Sequence, residues 1–155
     1  MFEVASDQSF PRLQQISFFL PNKVGSLQRV IDVLDQAKVS VCGLSILDAH
    51  DHAVVRIIVD NPEKAIDTLG QGGRALCTTQ LIGVAVPAAD DAGVGKLLGR
   101  LLRAELNVYY AYALIVRHQG RAIMALHADD LAAAAAVLRS GGIELVDQRD
   151  LVDSD

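Results

Sequence analysis

The sequence predicts an α+β fold of two tandem ferredoxin-like βαββαβ units, each an antiparallel sheet with both helices on one face. The first observation is that the same order of strand and helix patterns occurs twice. The second is that matching landmarks of the two copies lie roughly 66–69 residues apart, the spacing of a duplicated domain. The third is the length of 155 residues, which suits two units of roughly 70 residues each. We place an N-terminal tail at 1–13, the first unit at 14–79 and the second at 80–152.

The first half of the first unit reads as a strand, a helix and a hairpin. Residues 14–20 form a short apolar strand that ends at Pro21. The following helix carries apolar side chains on one face at helical spacing: Val24, Leu27, Val30, Ile31 and Leu34. Residues 39–47 and 52–59 are two strands joined by a polar turn.

The second half of this unit contains a helix with clear boundaries. The segment 60–63 (Asp-Asn-Pro-Glu) supplies a capping residue, a proline for the first turn and an early acid. The helix stops at Gly72-Gly73, and a last strand begins near Arg74. The second unit repeats this order. Its elements are a strand at 81–86 before Pro87, an amphipathic helix with Val94, Leu97, Leu98 and Leu101, strands at 107–116 and 121–126, a helix from Asp129-Asp130 to Leu138 that stops at Gly141-Gly142, and a strand at 143–146.

Composition and charge exclude several classes of protein. The net charge is −5 and the basic residues are scattered, which argues against nucleic-acid binding. No window is long and apolar enough for a membrane span, and the N-terminus lacks the pattern of a signal peptide. We therefore expect a cytoplasmic protein, with Cys42 and Cys77 as small core residues.

Catalytic motifs with the required spacing are absent, so we predict no catalytic residues, no metal and no cofactor. The nearest approach to a metal site is the turn with Asp48, His50 and His52. A turn rich in Asp and His is more often a solvated turn, and we favour that interpretation.

The loop between the first strand and the first helix is the most informative segment, Pro21-Asn-Lys-Val-Gly-Ser-Leu27. A helix start with Gly25 and Ser26 leaves backbone N–H groups without intrahelical partners, and the helix dipole adds positive charge. Such a place suits a small carboxylate, and Lys23 could reinforce it. The alternative is a plain strand–helix turn.

Residues 16–34, followed by Val39-Ser-Val41, resemble the opening of an ACT domain. The second unit is similar, with Val84-Ala-Val-Pro87, a loop containing Gly93, and a Tyr-Ala-Tyr stretch like that of small stand-alone tandem ACT proteins. The resemblance covers about residues 14–152. The sequence departs from the family pattern at Val24, where Pro is common, and in the longer second loop.

The resemblance implies a non-catalytic regulatory protein that binds free amino acids between paired domains, as a homodimer and with a possible enzyme partner. Carried over, the binding site comprises two loops: Asn22, Lys23, Val24, Gly25, Ser26 and Leu27 in the first, and Asp90, Asp91 and Gly93 in the second. The N–H groups of Gly25–Leu27 would hold the ligand carboxylate. Asp90 or Asp91, from the facing unit, would accept a hydrogen bond from the ammonium group. The alternatives are that the second loop has lost its ligand or that its acids only cap the helix.

The three tyrosines of the chain, Tyr109, Tyr110 and Tyr112, complete the predicted site. Alternation places Val108, Tyr110 and Tyr112 on one strand face and Tyr109 on the other. A tyrosine cluster beside a domain interface suits either a polar ligand or plain interface packing.

Two other functions stay open at this stage. The chain could be a regulatory subunit of an amino-acid biosynthetic enzyme, similar to the acetolactate synthase small subunit. It could also be an enzyme on the same fold, for which Arg56 and Arg117 are the candidate cations.

Overall fold

The structure is a computed structural model that describes residues 10–152. It contains seven strands and four helices in these residues. The strands are β1 (Leu13–Pro21), β2 (Val41–Ala49), β3 (His52–Val59), β4 (Cys77–Ala85), β5 (Val108–His118), β6 (Arg121–Ala128) and β7 (Leu145–Val146). The helices are α1 (Ser26–Gln36), α2 (Pro62–Gly70), α3 (Gly93–Arg103) and α4 (Leu131–Ser140).

The strand β4 belongs to both units. Its first part pairs with β1, with Leu81 opposite Leu13. Its second part pairs with β6 and β7, with Ile82 opposite Leu126. The sequence predicts two strands here, one from about Arg74 and one at 81–86, whereas the structure has a single strand that crosses the expected unit boundary.

The sheet closes on itself. Hydrogen-bonded neighbours run in the order β1, β3, β2, β5, β6, β4, and β4 pairs again with β1, while β7 flanks β4. The join between β2 and β5 is narrow, with Gly43 opposite Leu114 as its one paired position. Closure removes most of the free edges that two separate sheets would expose.

Three apolar cores follow from this arrangement. One lies between the first sheet and α1 and α2, and includes Ile16, Val30 and Leu34. A second lies between the second sheet and α3 and α4. The third fills the space between the two sheets and includes Leu13 and Ile123. The two units therefore bury their non-helical sheet faces against each other.

Corresponding helices of the two units begin in the same way. Both α1 and α3 follow a residue in the left-handed region, Gly25 at φ +83° and Ala92 at φ +66°. Both α2 and α4 are capped by a side chain, from Asn61 and Asp130 respectively. The predicted α+β fold of two ferredoxin-like units is confirmed. No helix in the described part of the chain is long and apolar enough to cross a membrane.

Candidate functional site

The first loop is fastened to the neighbouring hairpin. The Asn22 side chain donates to the His50 carbonyl at 3.2 Å, and the Asn22 N–H donates to the Asp51 carbonyl at 3.1 Å. The Lys23 carbonyl accepts a hydrogen bond from the Ser26 N–H at 3.2 Å. These bonds fix the position at which α1 begins.

Within this loop the side chains have different environments. Val24 is fully exposed, whereas Ser26 is 7% exposed and Leu27 packs against the first helical core. Gly25 adopts φ +83°, a conformation that disfavours side chains with a Cβ. The N–H groups of Leu27 and Gln28 have no hydrogen-bond partner among the described residues, so the start of α1 keeps its capacity for an anion.

A cavity of about 370 Å³ opens beside this loop, between α1 and α2. Its lining is apolar below and cationic at the rim: Leu20, Pro21, Ser26, Arg29, Val30, Val33, Thr68, Leu69, Gly72 and Arg74. We call this cavity the first cleft. Its volume lies within the range of ~300–1,000 Å³ that small-molecule pockets occupy.

The second loop has a different chemistry. Asp90 and Asp91 lie in a 3-10 turn before α3 and are exposed. Asp91 is paired with Lys96, with Oδ2 3.0 Å from Nζ. Gly93 begins α3, and its N–H donates to the Ala88 carbonyl at 3.1 Å. The Val94 and Gly95 N–H groups at the start of α3 have no hydrogen-bond partner among the described residues, as at the start of α1. The two loops therefore differ in their side chains, above all in the Asp91–Lys96 pair.

The structure does not bring the two loops together within one chain. Because β1 and β4 are antiparallel, Pro21 and Ala85 lie at opposite ends of the pair. At about 3.3 Å per residue, these strand ends are up to roughly 40 Å apart. Asp90 and Asp91 therefore cannot face a ligand on Gly25–Leu27 of the same chain, and a site that used both loops would need a second copy.

The hydroxyls of Tyr110 and Tyr112 form hydrogen bonds within the core between the sheets. Gln15, 1% exposed, donates from Nε2 to Tyr110 Oη at 2.8 Å and accepts at Oε1 from Tyr112 Oη at 2.7 Å. The Arg56 guanidinium lies 4.0 Å above the centre of the Tyr110 ring. Burial raises the pKa of Tyr112 above its ordinary value, and the nearby Tyr110 adds to this. These groups link the two units.

The predicted alternation along β5 is wrong at its start. A β-bulge between Val108 and Tyr110 shifts the register, so that Val108 packs on the helical side with Ala111. Tyr109 is 57% exposed, and its ring centre lies 5.4 Å from that of His127. A bulge of this kind inserts an extra residue and cannot be read from alternation alone.

The other candidates have local roles. Asp48 Oδ1 accepts the His50 N–H at 3.1 Å, as in a simple turn. No group of three potential metal ligands exists among residues 10–152. Arg117 donates to the Gly120 carbonyl at 3.3 Å within its hairpin.

The family model of the ACT domain pair matches residues 12–154. The chain belongs to the ACT domain family. This ACT domain pair is similar to the solved protein BT0572 from Bacteroides thetaiotaomicron, with a TM-score of 0.82 and 26% identity over 92% of this chain and 96% of that chain. No curated protein matches the chain.

Two further structures share the fold. The ligand-free regulatory subunit of aspartate kinase from Thermus thermophilus has a TM-score of 0.60 and 14% identity, over 86% of this chain and 94% of that chain. The regulatory subunit of aspartate kinase from Thermus flavus has a TM-score of 0.54 and 12% identity, over 85% of this chain and 93% of that chain. At these identities the likeness concerns the fold.

Sequence reasoning missed the residues that shape the first cleft apart from Ser26. Arg29 and Arg74 are 45 positions apart in the sequence, and only the packing of α1 against α2 brings them to one cavity. Arg29 lies on the exposed side of an amphipathic helix, where a charge is ordinary. The one available signal was that Arg74 follows the Gly72-Gly73 pair, whereas an apolar residue follows the corresponding pair in the second unit.

Proposed function

We propose that this ACT domain pair is a cytoplasmic, non-catalytic regulatory protein that binds a free amino acid or a similar small ligand at the start of α1. The observation that carries the proposal is the first loop, where the N–H groups of Leu27 and Gln28 have no partner among residues 10–152 and lie at the helix start beside the cavity. Backbone N–H groups at a helix start bind carboxylates well. The described residues contain no arrangement suited to bond-making chemistry, and Arg56 and Arg117 are both engaged locally.

Regulation then follows from linkage between ligand binding and packing. The first loop is hydrogen-bonded to the β2–β3 hairpin through Asn22. A ligand that moves the loop therefore also moves that hairpin. Just before the turn of this hairpin, Ile46 and Leu47 form a short stretch of β2 whose side chains are about half exposed. We infer that this stretch is where two copies form a homodimer, and that ligand binding shifts the geometry of the pair.

A second candidate is a regulatory subunit that acts on a separate biosynthetic enzyme. The exposed side of α3 favours it, because Val94, Leu98 and Leu102 form an apolar stripe at spacing i, i+4, i+8. A stripe of this kind can contact a partner protein. In this candidate the ligand site is the same and the output passes through the enzyme.

The test of amino-acid binding is a thermal-shift screen of the full chain against the common amino acids, followed by calorimetry of each hit. At a hundredfold excess over Kd, a ligand adds about 2.7 kcal/mol, which corresponds to roughly 5–10 °C in Tm for a chain of this size. One or two amino acids should give such a shift, and the rest should not. A flat response across the set would contradict the proposal.

The position of the site is tested with Gly25→Asp and a matched variant in the second unit, Ala92→Asp. Both positions are left-handed and precede the first residue of a helix. A carboxylate at position 25 would repel the ligand carboxylate, so Gly25→Asp should abolish binding while Ala92→Asp leaves Kd within twofold. Equal losses in both variants would place the site elsewhere.

A further inference from the structure

We propose that the first cleft binds a small aliphatic α-carboxylate, with Ser26, Arg29 and Arg74 holding the carboxylate and the apolar wall holding the side chain. The inference rests on the proposed function, since it concerns the same end of α1. It adds the class of ligand and the residues that select it. It also places the ligand between the two helices of one unit, on the side of the sheet away from the second unit.

Ser26 contributes a hydroxyl group to the first cleft. Ser26 and Gln15 are the buried polar residues of the described chain. Gln15 has both its side-chain groups paired with tyrosines. Ser26 Oγ has no hydrogen-bond partner among residues 10–152, and the side chain lines the first cleft. The residue is mostly buried, but its hydroxyl is accessible from the cleft and can pair with a ligand or water there.

Two arginine side chains line the same cleft as this hydroxyl. The Arg29 guanidinium folds back toward the start of α1, because a Cβ built on Gly25 would lie 3.9 Å from Arg29 Nη1. The Arg74 guanidinium lies 5.5 Å from the centre of the Phe18 ring. Neither guanidinium forms an ion pair with an acid in the described part of the chain. Two free guanidinium groups and a helix start together favour an anion, in a chain of net charge −5.

The rest of the cleft lining is mainly apolar. Leu20, Val30 and Leu69 are buried at the base of the cleft and Val33 lies at its side. None of the lining residues is an acid. An anion with a short branched hydrocarbon chain satisfies both surfaces, since it pairs the cations and buries apolar area at roughly 25 cal/mol per Å².

The corresponding place in the second unit carries different side chains. Helix α3 starts at Gly93 where α1 starts at Ser26, so the hydroxyl is missing. The residue after the glycine pair is Ile143, which is buried in the second helical core. The Arg100 side chain contacts Gly141 closely and donates to Ser140 Oγ at 3.2 Å, so its guanidinium is engaged between α3 and α4. The cavity that remains beside it is smaller than the first cleft, about 280 Å³.

Two natural sources share the proposed chemistry, an aliphatic amino acid and its 2-oxo acid. The C-terminal end of α2 contributes Thr68 and Leu69 to the cleft. Carbonyl groups in the last turn of a helix lack intrahelical partners and can accept hydrogen bonds from an ammonium group. This end of the cleft therefore distinguishes the amino acid from the oxo acid.

The experiment is calorimetric titration of the full chain with valine, leucine, isoleucine and their three 2-oxo acids. The variants are Arg74→Met, which keeps an unbranched stem next to Phe18, and Arg29→Gln, an exposed change that cannot disturb the core. Arg103→Met, at an exposed site on α3, is the charge-matched control. Melting curves without ligand check that each variant is folded.

The proposal predicts that at least one of the six compounds binds, at least tenfold more weakly to Arg74→Met and Arg29→Gln and within twofold to Arg103→Met. Binding restricted to the oxo acids and lost in the same variants would support the cleft and contradict amino-acid binding as proposed above. Binding of an amino acid with equal Kd in all variants would overturn the cleft and leave the proposed function standing. Failure of all six compounds to bind would also overturn the cleft.

Discussion

The helix-covered faces of the two units differ, although their frameworks match. Each unit begins its first helix after a left-handed residue, and each ends its second helix before a glycine pair with one glycine at φ near +75°, Gly73 and Gly142. The framework residues are thus shared. Divergence is concentrated where the first helix begins and where the chain leaves the second helix.

Both helix starts leave N–H groups unpaired among the described residues, and the units differ in the side chains around them. Arg29 has no ion-pair partner among the described residues, whereas Lys96 at the equivalent position is paired with Asp91 at 3.0 Å. Arg74 lies at the rim of a cavity, whereas Ile143 is buried in the core. The cavity beside Arg100 in the second unit is smaller, about 280 Å³ against about 370 Å³ for the first cleft. The first cleft also combines a buried apolar base with arginines that have no ion-pair partner among the described residues, so it is the better candidate for binding.

The largest difference in stability between the two units is expected when the residues after their glycine pairs are exchanged. Ile143→Arg places an unpaired charge in the second helical core and should lower the free energy of unfolding by roughly 3–5 kcal/mol. Arg74→Ile in the first unit should change it by less than about 1 kcal/mol, because Arg74 is only half-buried at a rim. Urea denaturation of both variants checks this, and equal losses would show that the two positions are equivalent.

The tyrosines sharpen the comparison, because they belong to the region that the two units share. Tyr112→Phe leaves Gln15 Oε1 without its donor and should cost about 1–2 kcal/mol of stability. Since the first cleft lies on the other side of the sheet, ligand Kd should stay within twofold. Tyr109→Phe, at an exposed side chain, is the matched control and should be neutral. A large change in Kd for Tyr112→Phe would move the site into the core between the sheets.

Alkaline pH should lower the stability of the core between the two sheets, which contains Cys42, and should not act through the first cleft. Burial raises the pKa of Cys42 from its ordinary value near 9.0 to about 11, and the charge of Asp60 adds to this. The folded state therefore keeps a proton that the unfolded state loses, so stability is fully present below pH 9 and falls as pH rises toward 11. The slope should reach up to about 1.4 kcal/mol per pH unit. Cys42→Ala should flatten the fall in urea midpoints between pH 9 and pH 10; an unchanged slope would contradict this assignment.

The smallest effect is expected at Gly95, and Gly83 in the same unit provides a contrast of opposite sign. No atom lies within 4 Å of a Cβ built on Gly95, inside α3, so Gly95→Ala should raise the free energy of unfolding by about 0.5–1 kcal/mol. A Cβ on Gly83 would lie 2.5 Å from Leu13 Cδ1, so Gly83→Ala should instead destabilise the protein by roughly 1–3 kcal/mol. Thermal melting of the pair checks both signs.

The sequence predicted the parts of the fold that depend on local periodicity. Strand and helix patterns, the capping segment before α2 and the glycine pairs all led to the correct element order. The continuous strand β4 was missed because the sequence analysis placed a unit boundary between residues 79 and 80 and so predicted two strands, whereas pairing with β1 continues through this point. Closure of the sheet and the open first cleft depend on contacts between distant residues, such as Arg29 and Arg74, which periodicity does not contain.

The most direct test of the central claim is an NMR titration that follows backbone amides and arginine Nε groups while leucine or its 2-oxo acid is added, whichever binds more tightly. We expect shifts at Ser26, Arg29 and Arg74 that saturate with one Kd. Signals of the equivalent residues in the second unit, Gly93 and Lys96, should stay in place. Saturating shifts at Gly93 and Lys96, or at the tyrosines without any at Ser26, would contradict the account.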